Sequence, residues 1–194
     1  SRLAHAKGKP TIAGGNHVSS EPEAYEAEFD VLVRNEGEIT FRQFLADYQT
    51  GQVAPRYETA EKADLETTPI LRLDLLRKGQ RYPMVSFQFS RGCPHECEFC
   101  DVVAFLGRRL RFRKVEDCIR ELDLIKATGH RGIVFVADDC FGANKRKYIE
   151  LCQALNQWNQ ANGYPFFYCT QATMQSMADE EMLPGRPYWL KIGT

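Results

Sequence analysis

From Met84 onward, apolar runs of strand length alternate with amphipathic stretches of helix length, and this rhythm restricts the possible folds sharply. "MVSFQFS" (84–90) has the apolar and β-branched content of a strand. "VEDCIRELDLIKATG" spaces Val115, Ile119, Leu122 and Ile125 by four, three and three, the repeat of one helix face, and Gly129 closes it. "GIVFVAD" is a continuous apolar run, as in a strand covered on both faces. "NKRKYIELCQALNQWNQANG" places Tyr148, Leu151, Leu155 and Trp158 on one stripe, with Asn144 a candidate N-cap and Gly163 a candidate C-cap. "FFYCT" and "YWLKI" read as two further strands. There is no internal repeat beyond this alternation, which implies a parallel sheet with right-handed crossovers, open or barrel-like. In such α/β folds the chemistry gathers at the carboxyl ends of the strands.

The front of the chain carries a shorter version of the same pattern. "PTIAG" (10–14) reads as a buried strand ended by Gly14 and Gly15, "DVLVR" (30–34) as a second strand, and "ITFRQFLADYQTG" as an amphipathic helix closed by Gly51. Residues 53–82 lack sustained periodicity, contain Pro55 and Pro69, and read as a linker with one helical turn. The expected organisation is a partial domain over 1–52, a linker over 53–82, and an α/β domain of four strand units over 83–194. The residues between "ADEEML" and "YWLKI" leave little room for a helix, with Pro184 and Pro187 interrupting it, so this second domain reads as truncated.

One loop stands at such a strand end. "SRGCPHECEFCDV" follows strand 84–90 and holds Cys93, Cys97 and Cys100. Three thiols are too few for a closed zinc site unless His95 or a distant cysteine completes it. A redox pair of Cys97 and Cys100 would leave Cys93 without a role. An iron–sulfur cluster on three thiolates leaves one iron open to a reacting ligand. All three readings remain available from the spacing. Composition narrows the setting. The chain has seven cysteines and a net charge of −1, with 43% apolar and 26% charged residues. That points to a reducing, cytoplasmic setting and metal chemistry over a disulfide framework. There is no basic field for nucleic acid. No apolar run reaches spanning length, so no membrane span is expected, and no signal peptide is visible in the sequence.

C-x3-C-x2-C with Phe99 before the last cysteine resembles the signature of the radical SAM enzymes. "LGRRLRFRKVEDCIREL", "GIVFVADDCFGANKR" and "GYPFFYCTQAT" extend the likeness to the cobalamin-binding-domain group that includes hopanoid and bacteriochlorophyll methylases. The resemblance covers roughly residues 10–180. It implies a partial (βα) radical SAM barrel, preceded by the C-terminal part of a Rossmann-like cobalamin-binding domain. It further implies a [4Fe-4S] cluster on Cys93, Cys97 and Cys100, with S-adenosylmethionine completing the open iron, and possible cobalamin. The implied activity is methyl transfer to an unactivated carbon of a lipid or tetrapyrrole-like substrate, with flavodoxin or ferredoxin as electron donor. A non-methylating radical cyclase or rearrangement enzyme is the alternative on the same scaffold, and a zinc-stabilised non-catalytic module the alternative of another class.

Further residues follow from the resemblance, each with a plainer alternative. Phe99 would contact the adenine ring, or else pack in the core. Asp138 and Asp139 would meet the methionine ammonium, or else serve the turn in "DDCFGAN". Gln171 would reach cofactor or substrate. Gly14 and Gly15 would admit a corrin close to the backbone, with Glu36 to Glu38 opening the next loop, or else make an ordinary strand-to-helix turn. The D-x-H-x-x-G motif that supplies a lower histidine to cobalt does not occur in this sequence. The basic run "GRRLRFRK" (107–114) would face a carboxylate or phosphate, or else, as the plainer reading, form a solvated loop with Arg113 and Lys114 beside the next helix. Cys118, Cys152 and Cys169 read as small buried hydrophobes. Cys140, where the family more often has Asn, is not assigned as a ligand.

Overall fold

A computed structural model describes residues 2–173, 176, 178, 179, 181 and 189–193. It contains two compact units, Ser1–Ala63 and Asp64–Thr194.

In the first unit a short helix α1 (Arg2–His5) precedes strand β1 (Ile12–Gly14) and helix α2 (Asn16–Ser20); strand β2 (Val31–Val33), helix α3 (Gly37–Thr50) and strand β3 (Arg56–Tyr57) follow. The three strands pair in parallel in the order β1-β2-β3. Val31, Val33, Phe44 and Tyr57 form a small core between β2, β3 and α3. Tyr57 is 6% exposed, and its hydroxyl donates to Asp47 on α3 at 2.9 Å. That burial gives the front sheet a third strand inside the span expected to be linker, and the compact unit runs on to Ala63. A two-residue strand is too short for periodicity to reveal. Residues 64–82 then make three 3₁₀ turns, at 65–67, 73–75 and 79–81.

The second unit contains β4 (Met84–Phe87), β5 (Ser90–Arg91), α4 (Val102–Leu106), β6 (Arg111–Phe112), α5 (Val115–Ala127), β7 (Gly132–Phe141), α6 (Lys145–Ala161), β8 (Phe166–Ala172) and β9 (Trp189–Gly193). Strands β4-β7-β8-β9 form one parallel sheet in that order, as the alternation requires. Among the described residues the sheet is open, with no closed barrel. The proline-interrupted segment at 182–188 lies outside the described residues.

Local chemistry accounts for the helices. Glu116 and Asp117 occupy the first turn of α5 and Lys126 the last, each on the side that complements the helix dipole. The Asn144 side chain caps α6 by accepting from the Lys147 amide at 3.2 Å. Buried Cys118, Leu122 and Ile125 of α5 and Tyr148, Leu151, Cys152 and Leu155 of α6 meet Val134, Val136, Phe166 and Tyr168 in one core. The Trp158 ring stacks on Phe166, 5.3 Å between centroids, and its indole N–H donates to Asp123 at 2.8 Å. No helix among the described residues is long and apolar enough to cross a membrane.

Two expectations need correction. Strand 84–90 is not continuous: pairing with β7 ends at Phe87, and Ser90–Arg91 cross to pair antiparallel with Arg111–Phe112. Nor is β7 covered on both faces. Val134 and Val136 are fully buried under the helices, while Ile133, Phe135 and Ala137 alternate with them and are only half-buried. The same open face carries Met84 and Phe167, each 44% exposed.

Candidate functional site at the carboxyl ends of the strands

The cysteine loop leaves β5 and returns through α4 to β6, so the two-stranded β5/β6 ribbon closes its base. The Cys93 amide donates to the Gly107 carbonyl at 3.2 Å and the Cys100 amide to the Cys97 carbonyl at 3.1 Å, which turns the segment back on itself. Gly92, at φ 100°, is where it departs from the ribbon. A Cβ there would come within 2.8 Å of the Arg109 carbonyl oxygen and 3.0 Å of that of Gly107, so the close crossing needs glycine.

All seven cysteines are free. Cys93 is half-buried, while Cys97 and Cys100 are exposed. Among the described residues no three His, Cys, Asp or Glu side chains converge closely enough to hold a metal ion. The fit to a cluster therefore rests on the donor set: three free thiols on one exposed loop, the number that leaves one iron of a [4Fe-4S] cluster open. Phe99 is 91% exposed, so it is not the core contact that was its plainer alternative.

The Asp pair is divided by strand geometry, since neighbouring residues of a strand point to opposite sides. Asp138 is turned inward and is 1% exposed. One of its carboxylate oxygens accepts from the amides of Phe89 at 2.8 Å and Ser90 at 3.0 Å, and the other from the Tyr148 hydroxyl at 2.6 Å. Ser90 and Tyr148 also share a hydrogen bond at 2.7 Å. Burial raises the Asp138 pKa, against the pull of these donors. With both oxygens engaged by the chain itself, Asp138 braces the start of the cysteine loop against β7 and α6. The expectation that it meets a ligand ammonium is corrected on that ground. Asp139 is half-buried, and the Gly92 amide donates to it at 3.4 Å. Burial raises its pKa too, while the Gly92 amide and the charge of Arg91 lower it. Gln171 lies on β8 with an exposed side chain.

The sequence reading passed over two features. Cys140 is 6% exposed at the end of β7. Burial, together with the neighbouring Cys93, pushes its pKa up to about 12. Arg113, assigned to a solvated loop, is instead 5% exposed. Its guanidinium makes a two-pronged pair with Glu121, at 2.8 and 2.6 Å, and also donates to the Gln88 carbonyl at 3.1 Å. Glu121 accepts in addition from the Leu71 amide at 3.0 Å. The apolar residues of α5 around position 121 were the only sequence sign that this carboxylate faces inward.

Beside the loop is a cleft of about 340 Å³ lined by Pro94, His95, Gly142, Ala143, Lys145 and Thr173, with Ser176 and Asp179. It lies past the carboxyl ends of β7 and β8, at the first turn of α6. Lys145 is held there by Asp179 at 2.7 Å and Glu181 at 2.8 Å. In the first unit, Gly14 and Gly15 occupy the corresponding strand end. A Cβ on Gly14 would press to 3.0 Å on the Val33 carbonyl, whereas one on Gly15 (φ 107°) would meet nothing within 4 Å. Glu36 is buried beneath that end, accepting from the Ala63 amide at 2.9 Å.

No family model matches the chain. Among curated proteins it is 40% identical over 181 residues to the uncharacterized methyltransferase sll1242 of Synechocystis sp., covering 93% of this chain and 34% of that protein. It is 31% identical to the hopanoid C-2 methylase of Rhodopseudomonas palustris, over 94% of this chain and 35% of the relative. Against the bacteriochlorophyllide d C-8(2)-methyltransferase of Chlorobaculum tepidum it is 23% identical, over 78% of this chain and 36% of the relative. The chain thus spans about a third of the length of these relatives. The fold matches that of OxsB, a cobalamin-dependent S-adenosylmethionine radical enzyme, with a TM-score of 0.69 at 20% identity, over 92% of this chain and 28% of that one.

Proposed function

We propose, for a chain similar in sequence to a methyltransferase and a hopanoid methylase and sharing the fold of a cobalamin-dependent S-adenosylmethionine radical enzyme, that it forms the cluster-bearing part of a C-methyltransferase. The observation that carries this reading is the loop of three free thiols at the carboxyl end of the first strand of a parallel sheet, beside a cleft. Cys93, Cys97 and Cys100 would hold a [4Fe-4S] cluster. Once bound with S-adenosylmethionine, that cluster supplies one-electron cleavage of the sulfonium and hence hydrogen abstraction from an unactivated carbon.

The chain's own residues do the rest. Asp138 fixes the start of the loop to β7 through the Phe89 and Ser90 amides. The Gly92 amide, next to Cys93, is tied to Asp139. The cleft at His95, Lys145 and Thr173 is the place proposed for S-adenosylmethionine. Phe99, being exposed, is free to cover the adenine ring, and Asp139 or Gln171 to meet polar groups of the cofactor or substrate. Gly14 and Gly15 are assigned to the approach of cobalamin in the complete domain.

The hopanoid and bacteriochlorophyllide methylases among the relatives support a lipid or tetrapyrrole-like substrate. A small electron-transfer protein such as flavodoxin or ferredoxin would deliver the electron, in the cytoplasm, where seven free thiols stay reduced. The test is reductive cleavage. Under anaerobic conditions, the iron-loaded and reduced chain should convert S-adenosylmethionine to 5′-deoxyadenosine and methionine, measured by chromatography and mass spectrometry. Product at the level of the iron-free chain would refute the reading.

A further inference from the structure

Between β4 and β5 the chain leaves one sheet for another. Pairing of β4 with β7 ends at Phe87, and β5 begins its antiparallel pairing with β6 at Ser90. Phe89 and Ser90 are fully buried at this crossing, so the backbone groups around them need partners other than a strand. Two buried side chains of opposite charge supply them. The Asp138 carboxylate takes the amides of Phe89 and Ser90. The Arg113 guanidinium donates to the Gln88 carbonyl at 3.1 Å, and the Arg113 amide donates to the Phe89 carbonyl at 2.8 Å. The Cys118 thiol, 3.9 Å from the same Gln88 oxygen, is a far weaker donor. Arg113 directly follows β6, the strand by which the cysteine loop returns, so it ties the departing foot of the loop to the returning one.

Stability alone does not call for this arrangement. Buried ion pairs often exchange for apolar residues at little loss. Here the Arg113 Nε is also buried with no acceptor among the described residues, which is itself destabilising. What an apolar pair cannot do is hold backbone groups. Glu121 aims the guanidinium through two hydrogen bonds and accepts from the Leu71 amide ahead of β4. We propose that Arg113, aimed by Glu121, is a positioning residue. It sets the spacing between the two feet of the cysteine loop, and so the geometry in which Cys93, Cys97 and Cys100 are presented. The consequence for a cluster rests on the function proposed above, whereas the fixing of the loop does not.

Arg113→Lys separates positioning from charge. An ammonium keeps the pair with Glu121 but lacks the fork that also reaches the Gln88 carbonyl. Hydrogen exchange of the metal-free chain, resolved to single amides, reads the loop. The Cys93 amide is bonded to the Gly107 carbonyl, the Gly107 amide to the Val103 carbonyl and the Arg113 amide to the Phe89 carbonyl. The amides of α6 report on the fold as a whole. The expected result is exchange about tenfold faster at the three loop amides, the equivalent of one lost hydrogen bond to a charged group, with α6 unchanged. Arg113→Met with Glu121→Leu should likewise accelerate the loop amides more than those of α6, and it decides the matter if the lysine variant folds poorly. After anaerobic loading, a ferrous chelator should strip iron from Arg113→Lys about tenfold faster than from wild type. Loop exchange equal to wild type, an acceleration shared equally by α6, or iron loss at the wild-type rate would overturn the proposal. Failure of the cluster reading leaves a different mark: the wild-type chain then takes up no iron, while the exchange contrast between loop and α6 remains.

Discussion

Serine in place of Cys93, Cys97 or Cys100 should each remove the brown thiolate-to-iron absorption of the reconstituted chain, while serine at Cys118, Cys152 or Cys169 should preserve it. The contrast follows from position. The first three thiols lie on one loop at the end of the sheet, whereas Cys118, Cys152 and Cys169 are fully buried. A hydroxyl is a poor replacement for a thiolate toward iron, and a cluster already lacking one protein ligand has no reserve. The core variants bear a different cost. Each buries a hydroxyl in place of a weakly polar thiol, about 1–3 kcal/mol if the hydroxyl finds no partner. Their melting temperatures should fall and their visible spectra should not change. Absorption spectra and iron content of the six variants, prepared alongside wild type, make the test. Loss of absorption in Cys118→Ser equal to that in Cys97→Ser would mean that the ligands have been misassigned.

Glu121→Ala is expected to destabilise the second unit by about 3–5 kcal/mol, because it strands a buried charge. Arg113 and Glu121 side chains are 3% and 0% exposed. Removing the carboxylate leaves the guanidinium, among the described residues, with only the Gln88 carbonyl to accept from it, and also frees the Leu71 amide from its acceptor. The joint replacement Arg113→Met with Glu121→Leu should cost much less, since buried ion pairs often exchange for apolar residues of similar volume at little loss. Urea unfolding of both proteins, with unchanged slope, measures the difference. A cost below about 1 kcal/mol for Glu121→Ala, the value of a surface pair, would show that water reaches this site.

Arg113 illustrates what the sequence could not convey. It is one of five basic residues in an eight-residue run, and nothing local separates it from its solvated neighbours. Its burial depends on Glu121 facing inward on α5, a tertiary fact. The parallel sheet and its helices were legible because the strand and helix repeats are long and regular. The cap at Asn144 was legible because its chemistry is local. Strand β3 was not, at two residues. Asp138 and Asp139 are adjacent in the sequence and chemically identical, and only the direction of each side chain from β7 separates a brace from a residue facing the loop. Cys140 was set aside as unlike the family, and its burial at the end of β7 is likewise a tertiary fact. The three loop cysteines, by contrast, were readable from the sequence as three thiols on one loop after the first strand of the sheet, and they are free thiols there.

Metal analysis of the chain loaded anaerobically with iron and sulfide, and offered zinc in competition, bears most directly on the central claim. The account predicts a brown protein with about four irons and matching acid-labile sulfide per chain. Its reduced electron paramagnetic resonance signal should change on addition of S-adenosylmethionine, as an open iron gains a ligand. A colourless protein holding about one zinc, with no labile sulfide, would contradict the account and leave the loop as a structural metal site.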